Sequence, residues 1–157
     1  MDKKVTTTFK DAIALLTEDH KHVKAAFKEF EELGDRAFAT KKKIADRICA
    51  ELTAHTIIEE EIFYPAVREQ VKEGEDLVDE AVVEHQSARE LIAQIQAMTA
   101  EDDLFDAKVK VLSEQIEHHV KEEESEMFPK AKKSELDLVV LGEKMAARKE
   151  EVLSQPM

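Results

Sequence analysis

Two segments of eleven residues share one grammar: a histidine, a glutamate four residues on, an acidic stretch, then an aromatic and a proline. The first is HTIIEEEIFYP, from His55 to Pro65, and the second is HVKEEESEMFP, from His119 to Pro129. They start 64 residues apart, and two further histidines, His20 and His85, repeat at nearly the same offset of 65. Each half of the chain thus offers a lone histidine and then a His-x-x-x-Glu pair. Imidazole nitrogens and carboxylates without thiolates suit iron, manganese or zinc rather than copper(I) or an iron–sulfur cluster. His20, His55, His85 and His119 with Glu59 and Glu123 make a plausible inner shell for two transition-metal ions. A carboxylate has two oxygens, so each glutamate could bridge both ions. Six protein ligands leave room for an oxo, hydroxo or aqua bridge and for a small exogenous ligand, which is where binding or activation would occur.

Four long segments with a helical hydrophobic period must position these groups. Ile13, Leu16, His20, Val23, Phe27 and Phe30 mark the first, with Gly34 as its C-terminal stop. Ile44, Ile48, Leu52, His55, Glu59, Ile62 and Ala66 mark the second, and Pro65 is expected to bend or end it. The third follows Gly74 with Val78, Val82, His85, Ala88, Ile92 and Ile95. The fourth carries Phe105, Val109, Leu112, Ile116, His119, Glu123 and Met127, with Pro129 as its break. A shorter fifth helix is expected over about 134–153, capped by Ser134-Glu-Leu-Asp137, with Leu138, Leu141 and Met145 docking it. Thr6 to Phe9 read as a polar arm and the final SQPM as a frayed end. Short connections make neighbours antiparallel. The expectation is an all-α, up-down four-helix bundle over about 11–130 with an added C-terminal helix, in a single domain spanning 1–157.

All six polar groups fall on the inward stripe of their own helix. Glu59 and Glu123 each lie about 40° around the helix from the histidine before them, because four residues slightly exceed one turn. A face that buries Ile and Phe should not also bury His and Glu without compensation. Six such groups at comparable depth need a common partner, and a pair of cations supplies it.

Composition agrees with a helical protein: charged residues reach 38%, Gly and Pro number three each, and Trp is absent. The net charge of −13 argues against nucleic acid and anionic membrane surfaces. Cys49 is the only cysteine, so an intrachain disulfide is excluded, and a small buried or half-buried thiol is expected. The start MDKKVTTTFKDA is polar without an apolar h-region, and no run approaches the length of a membrane span. A soluble, cytoplasmic protein is the expectation.

The order His, His-x-x-x-Glu, His, His-x-x-x-Glu, together with DHKHV around His20 and the IFYP and MFP closures, resembles the hemerythrin-like family, the HHE cation-binding domain. The resemblance covers residues 11 to about 130. It implies a non-haem di-iron site with an oxo or hydroxo bridge in a four-helix bundle. Carried across, His20 and His55 bind one iron, His85 and His119 the other, and Glu59 and Glu123 bridge them. Two departures matter. Oxygen carriers of the family have a further histidine one turn along the third helix, where this chain has Arg89 after His85 and Ala81 before it. They also place an Asp five residues after the last histidine, where this chain has Glu123 at four. The site is one imidazole short and more open. Reaction with a small oxidant (H2O2, O2 or NO) becomes the leading function, with peroxide breakdown of a catalase or peroxidase kind first. The alternative is a non-enzymatic iron or oxygen binding or sensing module.

Other residues carry weaker signals. His22 is about 200° from His20 and His118 about 100° off the stripe, so both are expected at the surface. Glu60, Glu61, Glu122 and Glu124 are expected to be solvated or to bond outer groups. Glu126 reads as a surface carboxylate or a proton relay. On an ideal helix Tyr64 points away from His55, unless Pro65 redirects it towards the metals. Phe27, Phe30, Phe63 and Met127 should pack the core and exclude water. The ferritin-type Glu-x-x-His is missing, because Thr17, Leu52, Val82 and Ile116 stand three residues before the four histidines.

Overall fold

The computed structural model describes residues 10–154, all helix, turn and loop without a strand among them. The polar arm at Thr6 to Phe9 and the end at Gln155 to Met157 lie outside the described residues. Helix α1 is Ala12–Glu31, started by the Asp11 carboxylate, which accepts from Ala14 N–H at 2.9 Å. Helix α2, Phe38–Ile58, passes through a π-helical turn, Glu59–Phe63, into α3, Tyr64–Gln70. Helix α4 is Gly74–Ala97. Helix α5, Phe105–Glu122, passes through a second π turn, Glu123–Met127, into α6, Phe128–Lys132. Helix α7 is Leu138–Ser154. No described helix is long and apolar enough to cross a membrane.

The two prolines do not end their helices. Each π turn lets the chain bond five residues back, from Tyr64 N–H to Glu59 C=O and from Phe128 N–H to Glu123 C=O. Pro65 and Pro129 then stand in the first turn of α3 and α6, where a missing N–H costs little. Helix α1 stops before Gly34, which has no positive φ; the described residue in the left-handed region is Glu73, at φ 65°. Helix α7 begins later than the expected 134. Asp137 caps it by accepting from Val140 N–H at 3.1 Å, while the Ser134 hydroxyl donates back to the Ala131 carbonyl.

Two apolar clusters hold the bundle together. One joins Phe27, Phe30, Ile48, Ile92, Phe105 and Leu112. The other joins Leu15, Leu16, Ile58, Phe63, Val67, Val78, Met127 and Met145. In α1, α2, α4 and α5 the functional polar residues lie between the segments that build the two clusters. The order in which each helix meets them alternates, so the four run up, down, up, down. The site is a polar layer sandwiched between two greasy ones. Helix α7 adds Met145 to the second cluster and packs on α1, α2 and the first π turn.

Candidate metal centre

All six residues singled out by the repeat meet in this layer. Glu59 is 0% exposed, Glu123 2%, His85 3%, His55 and His119 5%, and His20 8%. The Nε2 atoms all point inward. His55 Nε2 is 3.3 Å from Glu59 Oε2, and His85 Nε2 is 3.0 Å from Glu59 Oε1. His20 Nε2 is 3.1 Å from Glu123 Oε1, and His119 Nε2 is 3.3 Å from Glu123 Oε2. Each glutamate therefore faces one histidine from either half of the repeat, as a bridging carboxylate would. Donor atoms of His20, His55, Glu59 and Glu123 form one group close enough to hold an ion, and those of Glu59, His85 and His119 form another.

The outward Nδ1 atoms are equally ordered. His20 Nδ1 lies 2.7 Å from Glu124, His55 Nδ1 2.9 Å from Asp19, His85 Nδ1 2.7 Å from Glu60 and His119 Nδ1 2.6 Å from Glu84. An ionised carboxylate only accepts, so each imidazole donates there with Nδ1–H. That fixes the tautomer and frees the Nε2 lone pair for a cation. Sequence reasoning left Glu60 and Glu124 among outer groups and did not single out Asp19 or Glu84. A signal was present: each is the chain neighbour of one of the six residues, and the four repeat at the same 64- and 65-residue offsets.

The inner atoms are short of hydrogen-bond partners. His55 Nε2 and Glu59 Oε2 are buried, misaligned for a bond with each other, and without any other hydrogen-bond partner. His85 Nε2 and His119 Nε2 face one another at 3.3 Å. The Tyr64 hydroxyl sits among four acceptors: Glu123 at 2.5 Å, Glu59 at 3.0 Å, and the Nε2 atoms of His85 and His119 at 3.3 Å each. One phenol proton cannot serve four acceptors. Burial alone would lower the histidines, but the Glu59 charge and the Asp19 bond push His55 up to about 10. The Glu123 charge and the Glu123 and Glu84 bonds push His119 up to about 11. Burial opposes the ionised Glu123, yet His119 and His20 hold it well below the usual carboxylate range. Burial and the two glutamates push the Tyr64 phenol well up. The layer attracts positive charge, and its donor set of imidazole and carboxylate fits a pair of transition-metal ions.

The first π turn explains Tyr64. At about 100° per residue it should lie opposite His55, nine residues on. Absorbing one extra residue turns it back by about 100°, to within about 40° of Glu59. Its repeat mate, Phe128, stacks on His20 with ring centroids 5.9 Å apart. His22 and His118 are exposed, as is Glu126. Arg89 stays outside and bonds Glu60 at 2.9 Å. A groove of about 660 Å³ between α1 and α5 reaches His20 and Glu124, and a recess of about 30 Å³ reaches His119 and Glu123.

The family described as hemerythrin HHE cation binding domain matches residues 11–131. A DNA nickase from Nostoc sp. is 33% identical over 113 residues, which is 70% of this chain and 30% of that protein. A hemerythrin-like protein from Schizosaccharomyces pombe is 27% identical over 124 residues, 78% of this chain and 59% of that one. The chain therefore spans under two thirds of either curated relative. The crystal structure of a hemerythrin HHE cation-binding domain-containing protein from Mycobacterium kansasii superposes with a TM-score of 0.78 at 25% identity. That match covers 91% of this chain and 87% of that one.

Proposed function

The chain belongs to the hemerythrin HHE cation-binding domain family, and from that premise we propose that it is a single-domain, non-haem di-iron protein that reacts with a small oxidant, peroxide first. His20 and His55 would hold one iron and His85 and His119 the other, with Glu59 and Glu123 shared between them. The observation that carries this reading is the pair of orphaned buried atoms, His55 Nε2 and Glu59 Oε2, inside a ring of converging Nε2 atoms. An iron pair held there would supply one-electron redox chemistry to a small oxidant.

The chain's own groups do the rest. Four outer carboxylates hold the imidazole tautomers. Phe63 and Phe128 keep bulk water from one side. The groove beside His20 is the route for a small ligand. The Tyr64 hydroxyl stands against Glu59, Glu123 and the Nε2 atoms of His85 and His119, and it holds a proton that it could give to a bound oxidant. Cytoplasmic placement belongs to the same reading. Nicking of DNA is not carried over from the Nostoc relative, since a net charge of −13 repels phosphate.

Elemental analysis of freshly purified protein tests the reading. Two irons per chain are expected, falling to one or none in Glu59→Ala and His85→Ala. Purification without metal, unchanged by anaerobic loading with ferrous iron, would sink it. So would variants that keep both metal and peroxide consumption.

A further inference from the structure

The internal repeat makes the two halves of the centre near copies, and one contact breaks that symmetry. Asp19 and Glu84 are repeat mates, each preceding a ligand histidine and each accepting from the other histidine of its half. Glu84 has no lysine or arginine partner among the described residues; its further neighbour is His118, at 3.7 Å. Asp19 spends its second oxygen on Lys149 of α7, whose Nζ lies 2.5 Å away. The Asp19 side chain is 8% exposed and that of Lys149 27%, so this pair is shielded from water. The other cation in the outer ring, Arg89 on Glu60, is 52% exposed and correspondingly screened.

Helix α7 is built to deliver that lysine. Gly142, Met145 and Lys149 follow one another at three and four residues and so share a face. Gly142 lies flat on the start of α1, where a Cβ would come within 2.7 Å of Ala12 N. Met145 is fully buried. Arg148, beside the lysine, instead grips Glu61 with two nitrogens, at 2.8 and 3.3 Å.

We propose that Lys149 is a positioning residue for one of the two metal positions: acting through Asp19 it fixes His55, so the His20/His55 position depends on α7 while the His85/His119 position does not. Without Lys149 the buried Asp19 carboxylate loses the contact that holds its second oxygen and is free to turn. That turn costs His55 its Nδ1 acceptor and lets the ring rotate. The loss of such an outer hydrogen bond weakens metal holding by roughly 10–100-fold. The proposal rests on the di-iron reading only for its metal readout.

The test uses Lys149→Met, the milder Lys149→Gln, the charge-keeping Lys149→Arg, and Arg148→Ala as a control for loosened docking. In metal-free, 15N-labelled protein the His55 Nδ1–H resonance should broaden or vanish in the Met and Gln variants. It should persist in Lys149→Arg and Arg148→Ala, and the His119 resonance should persist in all four. In ferrous-loaded protein one of two irons should pass to a chelator roughly tenfold faster in the Met and Gln variants, the other at the parent rate. An unchanged His55 signal in both neutral variants, equal acceleration of both irons, or the same loss in Arg148→Ala would overturn the proposal. Protein that takes up no iron yet shows the His55 effect would overturn the di-iron reading and leave only the Lys149–Asp19–His55 coupling standing.

Discussion

At the scale of single residues, Tyr64 is the group whose chemistry is least determined by the repeat, because its mate in the other half is Phe128. The phenol oxygen touches Glu59, Glu123 and both histidines of one half. Burial and the two carboxylates keep it protonated, so it is a proton donor held beside His85 and His119 and absent from the His20 and His55 side. Tyr64→Phe removes that proton and nothing else of the ring. Iron content should stay at two per chain, while peroxide consumption falls roughly a hundredfold, the usual scale for a lost general acid. Unchanged turnover would assign the hydroxyl to packing. The deletion also leaves buried carboxylate oxygens short of a donor, which costs about 1–3 kcal/mol of stability, so activity is best compared well below the melting temperature.

At the scale of elements, the close seat of α7 on α1 is set by Gly142. Alanine there would improve helix propensity by about 1 kcal/mol. Its Cβ, however, would meet backbone at 2.7 and 2.8 Å, at Ala12 N and Asp11 C, and backbone cannot step aside as a side chain can. Gly142→Ala should therefore lower stability by roughly 1–2 kcal/mol net of the propensity gain. Faster amide exchange along α7 should accompany the loss. A rise in melting temperature would mean that propensity wins and that α7 rides higher than the geometry indicates. The four main helices and their inward histidines were legible in the sequence because hydrophobic spacing reports which face is buried. Two features were not. The π turns at Glu59–Phe63 and Glu123–Met127 leave no mark in a reading that assumes an even 100° per residue, which is why on that reading only a bend at Pro65 could bring Tyr64 inward. The roles of Asp19 and Lys149 depend on contacts across 36 and 130 residues, which no local period encodes.

At the scale of the whole molecule, the layer of histidines and glutamates lies between two apolar clusters that are built without it. Stripping the metals with a chelator should therefore lower the melting temperature and leave most of the helix at room temperature. Loss of helix on stripping would instead favour the sensing alternative. The pH response of the two forms should also differ. In the stripped chain His55 and His119 bind protons with values of about 10 and about 11 against 6.5 when unfolded. Their contribution to stability is complete below 6.5. Above it the unfolded chain releases these protons while the folded chain keeps them, so stability declines and the contribution is gone once pH passes the folded values. Glu123 has the opposite sign: its depressed value contributes above 4.5 and is lost as pH falls through the folded one. Bound cations displace the imidazole protons, so the loaded chain has no such decline above neutrality. The buried Cys49 thiol, pushed up to about 12 chiefly by burial, adds a further decline above pH 9, but equally to both forms. The gap in melting temperature between loaded and stripped protein should therefore widen from pH 7 to pH 10. Melting curves of the two forms measured side by side decide this, and a gap that stays constant or narrows would mean that the histidines are not where the protons and the metals compete.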